Sequence, residues 1–285
     1  MAYFKQNNYI IFNKNNNDID LNNILVPFDT STDEQLTNMV NAYYNGEITL
    51  NDVKSVWSVG DKRKISLSVI EATSIEESHV AQEQYFTILD FDHDNLTNSI
   101  NDKEKALISL QQLNLLSNDT IMEGGYMNPT LTCEGGWANC VRRTWCNKDF
   151  KNALPNYIQN LIKQVTKEYC PVHYNLTKTI IEDYIWLPSE NEIFGVRTSS
   201  PVQEGTQYSY YAIIDNRIKY TGNANTAQGT AYYWWDRSLV YSNSNSTDPS
   251  VSSAAGYFNL ISETGTVTAS DANDADNGIA PAFCI

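Results

Sequence analysis

Gly256-Tyr257-Phe258-Asn259-Leu260-Ile261-Ser262-Glu263-Thr264-Gly265-Thr266-Val267-Thr268-Ala269 carries the clearest hairpin signal in the chain. The apolar run Tyr257 to Ile261 meets a turn at Thr264-Gly265, and Thr266-Val267-Thr268 returns beside it, which predicts a β-hairpin. A second short apolar strand, Ala282-Phe283-Cys284-Ile285, closes the chain. Upstream, Lys64-Ile65-Ser66-Leu67-Ser68-Val69-Ile70 alternates as a half-buried strand does, and Tyr85-Phe86-Thr87-Ile88-Leu89 does so less strictly. Two helices are expected between these strands. One covers about Asp102 to Leu116, with Ala106, Leu110 and Leu113. The other opens at Pro155, a residue favoured in a first turn, with Ile158, Leu161, Ile162 and Val165. Between them, Gly124-Gly125-Tyr126-Met127-Asn128-Pro129 and Gly135-Gly136-Trp137 predict an ordered loop packed by its own side chains. Strands, helices, loops and strands in that order predict an α+β fold rather than alternating βαβ units.

The chain divides at about residue 55, into an N-terminal segment, 1–55, and a main domain, 56–285. Residues 8–12 and Ile24-Leu25-Val26 read as short strands around an Asn-rich loop, making this a short α/β segment. Thr32 is a good N-cap, with Gln35 three residues later to close a capping box. Leu36, Met39, Val40 and Tyr43 fall on one face, and Gly46 ends the helix. That stripe needs something to pack on, either the main domain or another copy of the chain.

In 285 residues, 34 acids stand against 19 bases, a net charge of −15. From Ser238 to Ile285 there is no Lys or Arg at all. Duplex backbones and anionic lipid repel such a chain, so nucleic-acid binding is not expected. No apolar run approaches the length of a membrane span, so no membrane insertion is expected. The first eight residues lack the basic start and apolar stretch of a signal peptide. Synthesis in a cytoplasm, or exit by a route other than Sec, follows. Five cysteines, Cys133, Cys140, Cys146, Cys170 and Cys284, form no Cys-x-x-Cys pair and are expected as reduced, buried thiols.

Few constellations carry chemistry. Asp90-Phe91-Asp92-His93-Asp94 invites calcium, but Asn95 and Asn101 stand where an EF-hand loop needs Gly and Glu, so a polar strand end is expected. His79 with Glu76, Glu77 and Glu83 lacks the second histidine of a zinc helix. No Gly-x-Ser-x-Gly elbow is present, and Ser189 with Glu192 reads as a helix cap. No cofactor, metal site or catalytic residue is expected. Paired acids for glycoside hydrolysis leave no signature that sequence can exclude. The concentrated feature is aromatic: Tyr208, Tyr210, Tyr211, Tyr220, Tyr232, Tyr233, Trp234, Trp235 and Tyr241, followed by Ser242-Asn243-Ser244-Asn245-Ser246-Thr247-Asp248. Aromatic faces beside Asn, Ser and Asp suit a neutral polar ligand such as a sugar, or an adaptable protein-binding surface. Trp234 and Trp235 are expected in the core.

Several separated motifs carry a family resemblance. Trp186-Leu187-Pro188-Ser189-Glu190-Asn191-Glu192-Ile193-Phe194-Gly195, Glu204-Gly205-Thr206-Gln207-Tyr208, Asn216-Arg217-Ile218-Lys219, Trp234-Trp235-Asp236-Arg237-Ser238 and the closing Gly278 to Ile285 resemble phage and prophage proteins of gut Firmicutes with a DUF6273 domain. Trp57 to Asp61, Phe91 to Asp94 and Tyr126 to Pro129 also fit, so the resemblance runs from about Val56 to the C-terminus. It implies a C-type-lectin-like fold, related to formylglycine-generating enzymes. In that fold the terminal strands pair, a Trp-rich segment forms core and long C-terminal loops present a ligand surface. The lectin calcium motifs and the oxidase cysteine pair are not found here.

The expectation is therefore a non-enzymatic, virion-associated protein at the virion surface, displaying a lectin-like face to a bacterial surface glycan or protein. Tyr241, Asn243, Asn245, Asp248, Tyr257, Asn259, Asp271 and Asn273 are its candidate ligand-binding residues. Trp234, Trp235 and Phe283 hold the scaffold beneath. The N-terminal segment would contact other virion proteins and support a homo-oligomer, for which a trimer suits a fibre. The alternatives are a capsid decoration or head-fibre protein and, further off, a glycan-acting enzyme.

Overall fold

The computed structural model describes residues 24–116, 125–222 and 229–285. The fold is mixed α+β, with short helices and antiparallel sheets. A five-stranded sheet runs in the order β1 (Lys62–Leu67), β2 (Gln82–Phe91), β5 (Ile108–Gln112), β14 (Ala282–Cys284), β8 (Ile185–Trp186). A four-stranded sheet has the order β4 (Lys103–Lys105), β3 (Asn95–Ile100), β6 (Val165–Tyr169), β7 (Thr179–Asp183). The expected hairpin forms as β12 (Tyr257–Ile261) and β13 (Val267–Asp271), with β11 (Trp234–Leu239) along its other side. Lys219–Tyr220 (β9) pairs with Ala231–Tyr232 (β10).

The closing strand lies inside the large sheet, where Phe283, Cys284 and Ile285 are fully buried. A strand covered on both faces reads as a continuous apolar run, which is how 282–285 reads. The resemblance implied that the terminal strands pair. Among the described strands they do not: β1 lies at the edge, with β2 and β5 between it and β14.

The helix expected over 102–116 is two strands. Asn101 and Asp102 have φ of 46° and 66° and join Ile100 to Lys103 as a two-residue turn. Such a turn needs positive φ at both positions, which matches the twist of the flanking strands. Ile108 to Gln112 are then buried on both faces between β2 and β14. Buried Gln111 donates to Ala280 O at 2.9 Å and accepts from the Tyr211 hydroxyl, so its amide is satisfied without a helix. The second expected helix is shorter than its apolar spacing suggested. It spans Asn156–Leu161; Ile162 turns extended, and Val165 starts β6.

The first well-formed helix, α1 (Asp33–Tyr44), carries the capping box of Thr32 and Gln35. Leu36, Met39 and Val40 are completely buried, in one core with Trp57, Ile88, Trp235 and Phe283. The stripe thus packs on the chain's own main body. Residues 24–26 form no strand, and the strand expected at 8–12 lies outside the described residues. All five cysteines are buried free thiols. Burial pushes Cys133 and Cys140 up to about 12 and Cys170 up to about 11, so none is a ready nucleophile.

Candidate functional site

The site is built on an irregularity in β11. Trp235 pairs with Leu260, but the next pair is Leu239 with Phe258. Two more residues of β11 than of β12 fill that interval, so β11 bulges. The bulge places Asp236, Arg237 and Ser238 in the interior, where each is almost wholly buried. Arg237 holds Glu192 through both carboxylate oxygens, at 2.6 and 3.1 Å, and donates to Leu187 O at 2.9 Å. Lys167 reaches Asp94 at 2.6 Å, Glu192 at 2.7 Å and the Tyr208 hydroxyl at 3.0 Å, over the Trp186 ring.

More carboxyl groups than cations are buried here, and their protonation differs. Burial raises the Glu192 carboxyl, but the charges of Arg237 and Lys167 outweigh it and hold the group below its usual value. Glu204 is pushed up to about 7 by burial. Asp236 is raised well above the carboxylate range by burial and by the charge of Glu190. Glu190 remains an anion. Burial alone would raise it, but hydrogen bonds from Ser200 and Thr198 lower it. It accepts from Thr198 N at 2.6 Å, Ser199 N at 2.9 Å and Ser200 N at 2.7 Å. This clamp fixes the turn that carries the face: Ser199 O accepts from Tyr241 N at 2.8 Å, and Ser199 Oγ donates to Asn259 Oδ1 at 2.7 Å.

From Tyr241 the chain runs as a ridge with a two-residue period. Ser242, Ser244 and Ser246 are half-buried, whereas Asn243, Asn245 and Thr247 are exposed. Each serine hydroxyl accepts the amide two residues on: Ser244 N to Ser242 at 3.1 Å, Ser246 N to Ser244 at 3.3 Å, and Asp248 N to Ser246 at 3.1 Å. These are ST turns, which fix the backbone locally without a sheet partner. His173 anchors the ridge, accepting Ser242 N on its carbonyl and joining Ser244 O through Nε2. Asn243 and Asn245, which alternate with these serines, both stand exposed on the ridge. Beside the ridge a groove of about 540 Å³ is lined by Arg197, Thr198, Ser199, Ser200, Val240 and Tyr241.

Of the expected binding residues, Tyr241, Asn243, Asn245 and Asp248 come together on this ridge. Tyr257 and Asp271 are cross-strand partners, half-buried, with exposed Asn273 just beyond. No hydrogen bond joins that group to the ridge among the described residues. Asn259 is a correction: it is fully buried, because its position on β12 points it at Ser199 rather than at solvent. Sequence reasoning missed Glu190 and the Thr198-Ser199-Ser200 turn, since a buried acid and a polar tripeptide leave no local signal of their contact. Trp234 and Trp235 are core, as expected. Asp90, Asp92 and Asp94 do not converge: Asp90 accepts from Ser209, and Asp94 faces Lys167. No group of three or more His, Cys, Asp or Glu side chains among the described residues could hold a metal ion. His79 is buried against Glu76, which also pairs with Arg142.

One protein-family model, described as "Domain of unknown function (DUF6273)", matches residues 111–285. No curated protein and no solved structure matches the chain.

Proposed function

Because the chain belongs to the DUF6273 family, whose description assigns no activity, we propose from the site that it is a binding protein and, from the motif resemblance, that it is virion-associated. Its ridge and groove engage a glycan or protein of a bacterial surface. The observation that carries this reading is the ST-turn ridge, whose locally fixed backbone presents exposed Asn243 and Asn245 beside Tyr241. Rigid presentation lowers the ordering cost of association, and Asn amides with a neighbouring Tyr ring offer both hydrogen bonding and stacking to a neutral polar ligand. The lectin-like relationship and the phage setting belong to this proposal and rest on the motif resemblance. Burial of Leu36, Met39 and Val40 removes the apolar face a decoration protein would use for docking through that helix, which favours the receptor-binding alternative.

Purified protein is expected to bind host cells. The Asn243→Ala/Asn245→Ala variant should lose at least about tenfold in affinity, the effect of a few lost hydrogen bonds, with no change in melting temperature. Equal binding by both proteins would overturn the ridge as the site. Antibody labelling of virions tests the location separately: label at the tail tip supports receptor binding, label over the head supports decoration, and unlabelled particles would sink the virion reading.

A further inference from the structure

A second pocket, of about 310 Å³, is lined by His93, Lys167, Glu168, Lys178, Gly205 and Thr206, among others. At its wall His93 meets Thr206, which is remote in sequence, with Asp90 behind the imidazole. Asp90 Oδ2 lies 3.2 Å from His93 Nδ1, and His93 Nε2 lies 3.2 Å from Thr206 Oγ1. The carboxylate can only accept at Nδ1, so that nitrogen carries the proton of the neutral ring and Nε2 is free to accept from the Thr206 hydroxyl. This is the order of roles in an acid–base–nucleophile triad: carboxylate, imidazole, hydroxyl.

Each member is held in place. Asp90 also accepts from Ser209 N and Ser209 Oγ, both at 2.9 Å. The imidazole lies 4.3 Å from the Tyr208 ring, centroid to centroid. Gly205 has φ of +77°, and a Cβ there would come within 2.7 Å of Glu192 Oε1. Its N–H donates to Glu168 at 2.9 Å and its carbonyl accepts from Asn191 at 2.6 Å, so the residue before Thr206 is fixed on both sides. Thr206 is itself exposed. The backbone amides of Thr206 and Gln207 form no hydrogen bond with another described residue.

We infer that Asp90, His93 and Thr206 form a hydrolytic site for carboxylic esters. Thr206 Oγ attacks the ester carbonyl carbon while its proton passes to His93 Nε2. The bond from carbonyl carbon to alkoxy oxygen then breaks, and His93 returns that proton to the departing alcohol. Water, deprotonated at the same nitrogen, attacks the acyl-threonine, releasing the carboxylic acid and restoring the hydroxyl. His93 and Thr206 are the catalytic residues, and Asp90 is a positioning residue. The activity would add to binding at the ridge and does not depend on it, and it departs from the non-enzymatic expectation.

The test uses the full chain and p-nitrophenyl acetate. Wild type should release p-nitrophenol and yield, on rapid acid quench, a Thr206-containing peptide carrying one acetyl group. His93→Ala should lower the rate by about 10²-fold or more, the ordinary worth of a general base. Thr206→Ala should remove the acetyl-peptide and Thr206→Ser should keep it; both changes are at an exposed side chain. The charged groups around the imidazole are Asp90, Asp94, Glu192 and Lys167. Burial lowers the ring's pKa, but Asp90, Asp94 and Glu192 raise it further, so the net position is above its ordinary 6.5. The rate should therefore rise with pH on a limb above 6.5, and Asp90→Asn should move that limb to lower pH. Equal rates for wild type and Thr206→Ala, or acetyl only on other residues, would overturn the proposal.

Discussion

Glu204 and Lys219 are buried ionisable residues whose effects on stability run in opposite directions. Burial pushes the Glu204 carboxyl from its ordinary 4.5 up to about 7, against the charge of Arg237 and the hydrogen bond from Cys170 N. A folded-state value above the unfolded one contributes stability that is complete below 4.5 and is lost as pH rises to about 7. Burial pushes Lys219 down from 10.5 to about 7. Its ammonium donates to Gln112 O at 2.8 Å and Leu113 O at 3.1 Å, over the Trp234 ring, with no carboxylate partner among the described residues. For this group, stability is present above 10.5 and lost as pH falls to about 7. Relative to wild type, Glu204→Gln should therefore gain stability as pH climbs from 4.5 to 7. Lys219→Met should gain most below 7 and progressively less toward 10.5. Melting temperatures of the three proteins across that range check both slopes. Flat differences would show that neither group changes its proton affinity on folding.

At the scale of the element, the turn between β3 and β4 is where local reading failed most instructively. Asp102 looks like a helix start, since Asp favours first turns and apolar residues recur after it. The same residue tolerates the left-handed region, and the structure uses it there, with φ of 66°. Left-handed backbone costs most L-residues about 1–2 kcal/mol, and glycine nothing comparable. Asp102 is exposed, so Asp102→Gly should stabilise the protein by about 0.5–1 kcal/mol in urea unfolding. A helix at 102–116 would instead be weakened by that change, so the sign of the effect separates the two structures. Asn101 is less replaceable, because its side chain donates to Tyr44 O at 3.0 Å and ties this turn to α1.

Across the whole molecule, α1 and the central sheet share one core, with Met39 and Phe283 both completely buried in it. Tyr44 adds a polar tie: its hydroxyl accepts from Leu107 N at 3.0 Å. A helix so joined should unfold with the sheet. Met39→Ala should cost about 2–5 kcal/mol, the range for truncating a buried large side chain. Far-ultraviolet and near-ultraviolet signals should lose structure in one coincident transition. Separate transitions would mean that the N-terminal segment folds as an independent piece.

Features closed over a few residues, and one continuous apolar run, were legible in the amino-acid sequence alone. The capping boxes of Thr32 with Gln35 and of Ser189 with Glu192, the hairpin at 257–271 and the apolar closing strand all form as their local patterns imply. The hydrogen bonds of the caps and the hairpin join neighbours in the chain, so composition and spacing specify them; the closing strand is legible from its apolar run alone, and its partners, 109–111 and 185–186, are remote in sequence. The Asn/Ser run was legible as an exposed polar segment, while its ST turns emerged only in the structure. Long-range packing settled that 108–112 is a strand, that Asn259 is buried, and that Glu190 clamps 198–200. It alone brought Asp90 and His93 to Thr206, more than a hundred positions away. Apolar spacing fits more than one element when a segment is covered on both faces, and partners distant in sequence leave no trace in either local neighbourhood. Sheet order and the β11 bulge choose among those possibilities, because they fix which side chains share an interior.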